Sequence, residues 1–201
     1  MFCDISLELE KGRIAAITGP SGSGKSTLGC CLAGVIPHLL EGEYKGAVEI
    51  AGRPGIVFQD PDTQVFFPAV EDELAFAPEN LCLTPEETGK RIAETLQKLG
   101  IPHLADADPK LLSGGQKQLI ALGGVLTLAP DLLILDETLS QLDRESKDRI
   151  KQHLLELKAK GVSIILIEHQ SNNYDIADEI WLLEEGKLLT LYKDREVDAL
   201  D

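Results

Sequence analysis

The feature that most constrains this chain is Gly19-Pro20-Ser21-Gly22-Ser23-Gly24-Lys25-Ser26-Thr27. It fits GxxxxGK[ST], a loop whose backbone N–H groups cradle phosphates. Several donors must converge on one anion there, and side chains would obstruct them, so glycines recur. Residues 13–18 ahead of the loop read as a strand, and Lys25 opens a helix expected to end before Pro37. A helix N-terminus adds partial positive charge at that point. Lys25 is expected to reach the β- and γ-phosphates of a bound triphosphate, and the Ser26 hydroxyl to ligate Mg²⁺.

The rest of the chain alternates strand and helix signals. Residues 5–9 alternate apolar and polar side chains, as a half-buried strand would. Residues 47–50 and 55–58 read as short strands, and 41–46 as a turn. Thr84-Pro85-Glu86-Glu87 carries an N-cap, a first-turn proline and a capping-box glutamate. Ile92, Leu96 and Leu99 then form an apolar stripe that Gly100 ends. Residues 113–128 and 143–160 read as further helices, the second stopped by Gly161. The runs 132–135 and 162–167 are almost wholly apolar, as parallel strands buried on both faces are. Two closing strands are expected over 178–183 and 187–192. The pattern predicts an α/β fold with a largely parallel sheet. It comprises one domain, with a core of 1–67 and 130–201 and an inserted helical subdomain of about 68–129.

Parallel sheets bind ligands beyond the carboxyl ends of their strands. Leu132-Leu133-Ile134-Leu135-Asp136-Glu137 ends in two carboxylates there. Asp136 is expected to face the phosphate loop and hold Mg²⁺. Glu137 is free to polarise an attacking water as general base. His169 closes the next buried strand, where it either contacts the γ-phosphate or is a hydrogen-bonded core histidine. Gln59 follows the strand at 55–58 and either senses Mg²⁺ and water or is an ordinary polar strand end.

Charge and cysteine usage narrow the partners. The 201 residues carry 19 basic and 34 acidic side chains, a net charge of -15 that repels nucleic-acid backbones and anionic lipid surfaces. Aromatics make up 4%, too few for a platform that stacks bases. Cys3, Cys30, Cys31 and Cys82 include no CxxC pair, so neither a zinc site nor a disulfide framework is indicated. Acidic Asp4, Glu8 and Glu10 replace the basic and apolar regions of a signal peptide, and the apolar stretch 119–135 is broken by Pro130-Asp131. The expectation is a cytosolic chain.

Leu112-Ser113-Gly114-Gly115-Gln116 is more specific than the phosphate loop, and it resembles the signature of ATP-binding cassette (ABC) ATPases. The order of motifs resembles that family along essentially the whole chain. The phosphate loop is followed by Gln59, the signature, Asp136-Glu137, Ser140-Gln141-Leu142-Asp143 as the D-loop, and His169. Ser113, Gly114 and Gly115 open a helix and so offer a hydroxyl, bare N–H groups and a helix dipole to a second anion. The resemblance implies two cassettes packed head to tail around two ATP molecules. Ser113, Gly114, Gly115, Gln116 and Asp143 would complete the partner's site. The second subunit is either identical or different.

A narrower likeness lies in Gln59-Asp60-Pro61-Asp62-Thr63-Gln64-Val65-Phe66, followed by Val70-Glu71-Asp72-Glu73-Leu74-Ala75-Phe76-Ala77-Pro78-Glu79-Asn80-Leu81. Together with Gly124-Val125-Leu126, this resembles the ATPases of energy-coupling factor (ECF) importers for vitamins and transition-metal ions. It implies a peripheral subunit on the cytoplasmic face of the membrane, with a transmembrane coupling protein and a separate substrate-binding membrane protein as partners. Val65, Phe66 and Phe67 then either face the coupling protein or belong to the core. The chain departs from the family pattern at Thr138, usually proline, and at Leu119, usually arginine. The stretch 51–55 is short, and so is the lead into the phosphate loop. Phe2 is the one aromatic near the place of an adenine-stacking residue, in a register that does not match. Two other readings stay open: a non-catalytic regulatory cassette of a heterodimer, and a soluble ABC ATPase without a transport role.

Overall fold

The computed structural model describes residue 2, residues 4–40 and residues 44–193. Cys3 and residues 41–43 of the expected turn lie outside the described residues. In chain order the elements are β1 (Ile14–Thr18), α1 (Lys25–Leu32), α2 (Val35–His38), β2 (Pro54–Val57), α3 (Val70–Asn80) and α4 (Pro85–Leu99). There follow α5 (Gly114–Thr127), β3 (Leu132–Asp136), α6 (Arg144–Ala159), β4 (Ser163–Ile167), β5 (Glu179–Glu184) and β6 (Lys187–Lys193).

The strands make one sheet in the order β2-β3-β4-β1-β5-β6. Every neighbouring pair is parallel except β5 and β6. In register, Ile134 sits beside Ile56 on one side and Ile165 on the other, and Ala16 beside Leu166 and Ile180. Parallel pairing brings the carboxyl ends of β1, β2, β3 and β4 to one edge. Alternate side chains feed two cores. Ala15, Ile17, Ile56, Ile134, Ile165 and Ile167 pack with Leu28 and Leu32 of α1. Ile14, Ala16, Leu133, Leu135, Ile164 and Leu166 pack with apolar faces of α3, α4, α5 and α6. Gly29 lets α1 press onto the sheet, because a Cβ there would lie 2.8 Å from Ile167 Cδ1.

The helix caps are those the sequence encodes. Thr84 and Glu87 form a capping box on α4, and Gly100 leaves it at φ +75. Ser113 and Gln116 form a capping box on α5, and Asp143 caps α6.

Two expectations fail. Residues 5–9 and 47–50 form no strand. Ile5, Leu7 and Leu9 still turn their apolar side chains onto the core, but their backbone joins no ladder among the described residues. Period-two alternation fixes which side chains face inward, and says nothing about a hydrogen-bonding partner. The first helix ends at Leu32, ahead of Pro37 as expected, and Gly34 turns the chain there at φ +73. Ile36, ahead of Pro37, is extended within the single turn of α2, as residues before proline tend to be.

Candidate nucleotide-binding and hydrolytic site

The phosphate loop leaves β1 at the centre of the sheet and enters α1. Gly19 (φ +145), Gly22 (φ +78) and Gly24 (φ +100) take backbone conformations that side chains resist. Gly19 is also pressed against a neighbouring strand, since a Cβ there would meet the Leu183 carbonyl oxygen at 2.2 Å. A Cβ on Gly24 would lie 3.1 Å from the Phe2 ring, so the one aromatic ahead of the loop covers it. Pro20, Ser21, Gly22 and Ser23 line a depression of about 390 Å³ shared with Glu184 at the end of β5 and with Glu185 and Gly186 of the turn after it.

Lys25 lies in this loop with 5% of its surface exposed. Its ammonium donates to the carbonyls of Gly19 and Pro20, at 3.0 and 2.9 Å. Burial lowers its pKa, and the carboxylates of Glu137 and Asp136 pull the other way. A cation buried at a helix N-terminus is suited to hold a phosphate.

Asp136 ends β3 with 3% exposure. Burial raises its carboxyl pKa, the Ser26 hydroxyl that donates to it lowers it, and the Glu137 carboxylate beside it raises it further. One of its oxygens, Oδ1, is buried without a partner. An unsatisfied buried carboxylate oxygen beside a serine hydroxyl is a hard-oxygen donor set of the kind Mg²⁺ takes. Among the described residues no group of three or more His, Cys, Asp or Glu could hold a metal ion by itself. Any ion here would draw its remaining ligands from phosphate and water.

Glu137 follows at φ +49, a left-handed turn that aims its side chain across the strand ends. Its Oε2 accepts from Gln59 Nε2 at 2.7 Å, and its Oε1 lies 3.0 Å from His169 Nε2. Gln59, Glu137 and His169, expected from three separate strand ends, therefore share one hydrogen-bonded cluster. The carboxylate is held but partly open, with 21% of the side chain exposed.

Signature residues occupy the N-terminus of α5. Ser113 Oγ accepts from Gln116 N–H at 3.3 Å, and Ser113 N–H donates to Gln116 Oε1 at 3.0 Å. A Cβ on Gly114 would meet nothing, and one on Gly115 would lie 3.2 Å from the Gln141 carbonyl oxygen. The signature thus abuts the segment 140–143 of its own chain and leaves Gly114 open. Asp143 accepts from Ser146 N–H at 3.0 Å and from Ser146 Oγ at 2.8 Å, so both carboxylate oxygens serve α6. These bonds hold its carboxyl below the usual range.

Several supporting residues make contacts that no local sequence pattern marks. Gln64 accepts from Phe58 N–H at 2.7 Å and donates to the Ile56 carbonyl at 2.9 Å, which extends the edge of β2 up to Gln59. Gln118, fully buried in α5, donates to the Phe58 carbonyl at 3.1 Å. Glu73 accepts from the N–H groups of Phe66 and Phe67, at 2.7 and 2.9 Å. Glu168 is buried between β4 and the turn after β3. An amide or carboxylate beside an apolar run reads as a surface residue, and the partners of these four are fixed only by the tertiary fold. Of the apolar trio after Gln59, Val65 packs on the core while Phe66 is 72% exposed.

Comparison with known proteins agrees with this geometry. The family profile described as ABC transporter matches residues 2–140. The energy-coupling factor transporter ATP-binding protein EcfA of Methanosarcina acetivorans is 39% identical over 195 residues, covering 92% of this chain and 71% of its own length. CbiO1 from Clostridium perfringens, part of the ABC transporter complex CbiONQ, superposes with a TM-score of 0.77 at 31% identity, over 94% of this chain and 80% of that one. The ATP-binding cassette MJ0796, dimeric and bound to ADP and Pi, superposes with a TM-score of 0.84 at 25% identity, over 96% and 90%. The chain spans about a third of the length of several longer curated relatives described as ABC transporter ATP-binding proteins. With a matching profile over most of its length and a relative 39% identical that it covers over 71%, the chain belongs to the ABC transporter family.

Proposed function

We propose that this chain is the ATP-hydrolysing subunit of an importer of the energy-coupling factor type, taking up a vitamin or a transition-metal ion. The observation that carries the hydrolytic part is the Glu137 carboxylate held between Gln59 and His169. Lys25 and the loop amides bind the β- and γ-phosphates of ATP. Ser26, Gln59 and Asp136 would hold Mg²⁺, which would offset phosphate charge. Glu137 accepts a proton from water as the water oxygen bonds to the γ-phosphorus. The bond from that phosphorus to the β-bridging oxygen breaks, and ADP and phosphate leave. His169 orients Glu137 and the γ-phosphate.

Dimerisation around two ATP molecules is supported by the position of Gly114 at the start of α5, where a Cβ would meet nothing and the backbone is open to a second chain's nucleotide. The importer class rests on the similarity to EcfA and CbiO1. Residues 68–129 then act as the subdomain that passes closure to a transmembrane coupling protein, with a separate membrane protein choosing the solute. No helix among the described residues is long and apolar enough to cross a membrane. The subunit would be held at the cytoplasmic face by its partners.

The test is Mg²⁺-dependent ATP turnover by the purified chain beside Glu137→Gln, with recovery of membrane partners from the native host. Turnover that the variant loses, with ATP-stabilised dimers in its place and a transmembrane partner in the pull-down, supports the reading. A chain that binds ATP without hydrolysing it would be a regulatory cassette. An active chain that recovers no membrane protein would be a soluble ABC ATPase.

A further inference from the structure

The ends of β3 and β4 are joined by two adjacent clamps. One is Glu137 against His169. The other is made by Glu168, which has no part in the hydrolytic scheme. Glu168 is fully buried and lies one peptide before His169. Its Oε1 accepts from Leu139 N–H at 3.2 Å, and its Oε2 accepts from Ser140 Oγ at 2.8 Å and Asn173 Nδ2 at 2.9 Å. Asn173 Nδ2 also lies 3.2 Å from Ser140 Oγ, so that hydroxyl donates to Glu168 and accepts from Asn173. Three donors and no other acceptor converge on one carboxylate.

A buried charge is weak evidence of stability, because an apolar side chain would fill the space without the cost of desolvation. What this network does fix is the turn from Glu137 to Ser140. Ser140 N–H donates to the Glu137 carbonyl at 3.2 Å, closing the turn, and Glu137 sits in it at φ +49. A non-glycine residue keeps such a conformation only where its surroundings over-determine it. Glu168 grips the far end of that turn by both the Leu139 backbone and the Ser140 side chain.

We propose that Glu168 is a positioning residue for ATP hydrolysis. By holding Leu139 and Ser140, with Asn173 as its brace, it keeps the 137–140 turn in the conformation that places the Glu137 carboxylate between Gln59 and His169. This rests on the reading of Glu137 as the group that activates water.

The test uses the reciprocal pair Glu168→Gln and Asn173→Asp in the full chain. Glu168→Gln replaces an acceptor by a donor facing Asn173 and the Ser140 hydroxyl. In the double variant the new amide donates to the new carboxylate, which also accepts from Ser140, so all three links return with the charge moved across. Glu168→Gln is expected to lower kcat about tenfold with KM for ATP within about twofold, as loss of positioning does. Amide exchange over residues 137–142 is expected to quicken with it. The double variant is expected to regain kcat to within about threefold of the parent, together with slow exchange. A wild-type kcat in folded Glu168→Gln overturns the proposal. So does a double variant that restores slow exchange without restoring turnover. Ser140→Ala, at an exposed position, removes one link without burying an unpaired charge and serves if Glu168→Gln does not fold; an unchanged kcat there also overturns the proposal. A parent chain that binds ATP without turnover would instead overturn the role of Glu137 itself, and the exchange data would still show whether the clamp holds the turn.

Discussion

The Leu183 carbonyl oxygen stands 2.2 Å from the point where a Cβ on Gly19 would lie. The first glycine of the phosphate loop is thus set by its neighbour strand β5 as well as by phosphate. Gly22 is different: its φ of +78 also favours glycine, but a Cβ there would meet nothing. Gly19→Ala is expected to cost about 3 kcal/mol even without nucleotide, as backbone must move to relieve the overlap. Gly22→Ala is expected to cost about 1 kcal/mol, the price of the left-handed conformation alone. Urea unfolding of the two variants without ATP would show the difference, and ATP affinity should fall more in Gly19→Ala.

Glu137→Gln keeps the size of the side chain and removes the proton acceptor. Turnover is expected to fall at least about a hundredfold, with ATP affinity changed less than about threefold, since general-base contributions are of that order. The Gln59 amide, which donates to Glu137 Oε2, would still find a carbonyl oxygen in the variant. A variant that turns over ATP at the parent rate would remove Glu137 from the mechanism.

How far the sequence discloses this architecture depends on the kind of signal. β3 and β4 are legible because both faces are buried, which leaves runs such as Leu132-Leu133-Ile134-Leu135 with no polar interruption. α4, α5 and α6 are legible because Thr84, Ser113 and Asp143 are local caps whose partners lie three residues away. α3 is not picked out individually, since Pro78 and a first turn of Glu71, Asp72 and Glu73 hide the apolar pair Val70 and Leu74. Gln59, Glu137 and His169 are each named by motif, yet their convergence depends on β2, β3 and β4 being adjacent. Glu168 and Gln118 are invisible for the same reason: each bonds across the fold to groups that no local pattern marks.

His153 offers a test of pH dependence away from the nucleotide site. It is 6% exposed on α6, and burial lowers its pKa below 6.5, opposed by a hydrogen bond to Glu156 at 3.3 Å. Below 6.5 the unfolded chain takes up a proton that the folded chain resists. Stability therefore rises with pH through the window beneath 6.5 and levels off above it. Substituting His153→Gln is expected to remove that slope. The urea midpoint of the parent should fall relative to the variant between pH 7 and pH 5, and parallel curves would show that His153 is not the group responsible.

Gln64 and Glu73 both anchor the segment after Gln59, but at different points. Gln64 bonds Phe58 and Ile56, directly behind Gln59, while Glu73 bonds the N–H groups of Phe66 and Phe67 further on. Gln64→Ala is expected to loosen Gln59 and lower kcat about fivefold, since Gln59 is one of the two groups that hold Glu137. Glu73→Ala is expected to cost about 1.5–3 kcal/mol, the range for hydrogen bonds to a charged group, with kcat within about twofold of the parent. Unfolding midpoints and turnover measured on both variants separate the two anchors. Equal losses of turnover would mean that the whole segment from Gln59 to Phe67 moves as one body, and that Gln64 has no special hold on the Glu137 cluster.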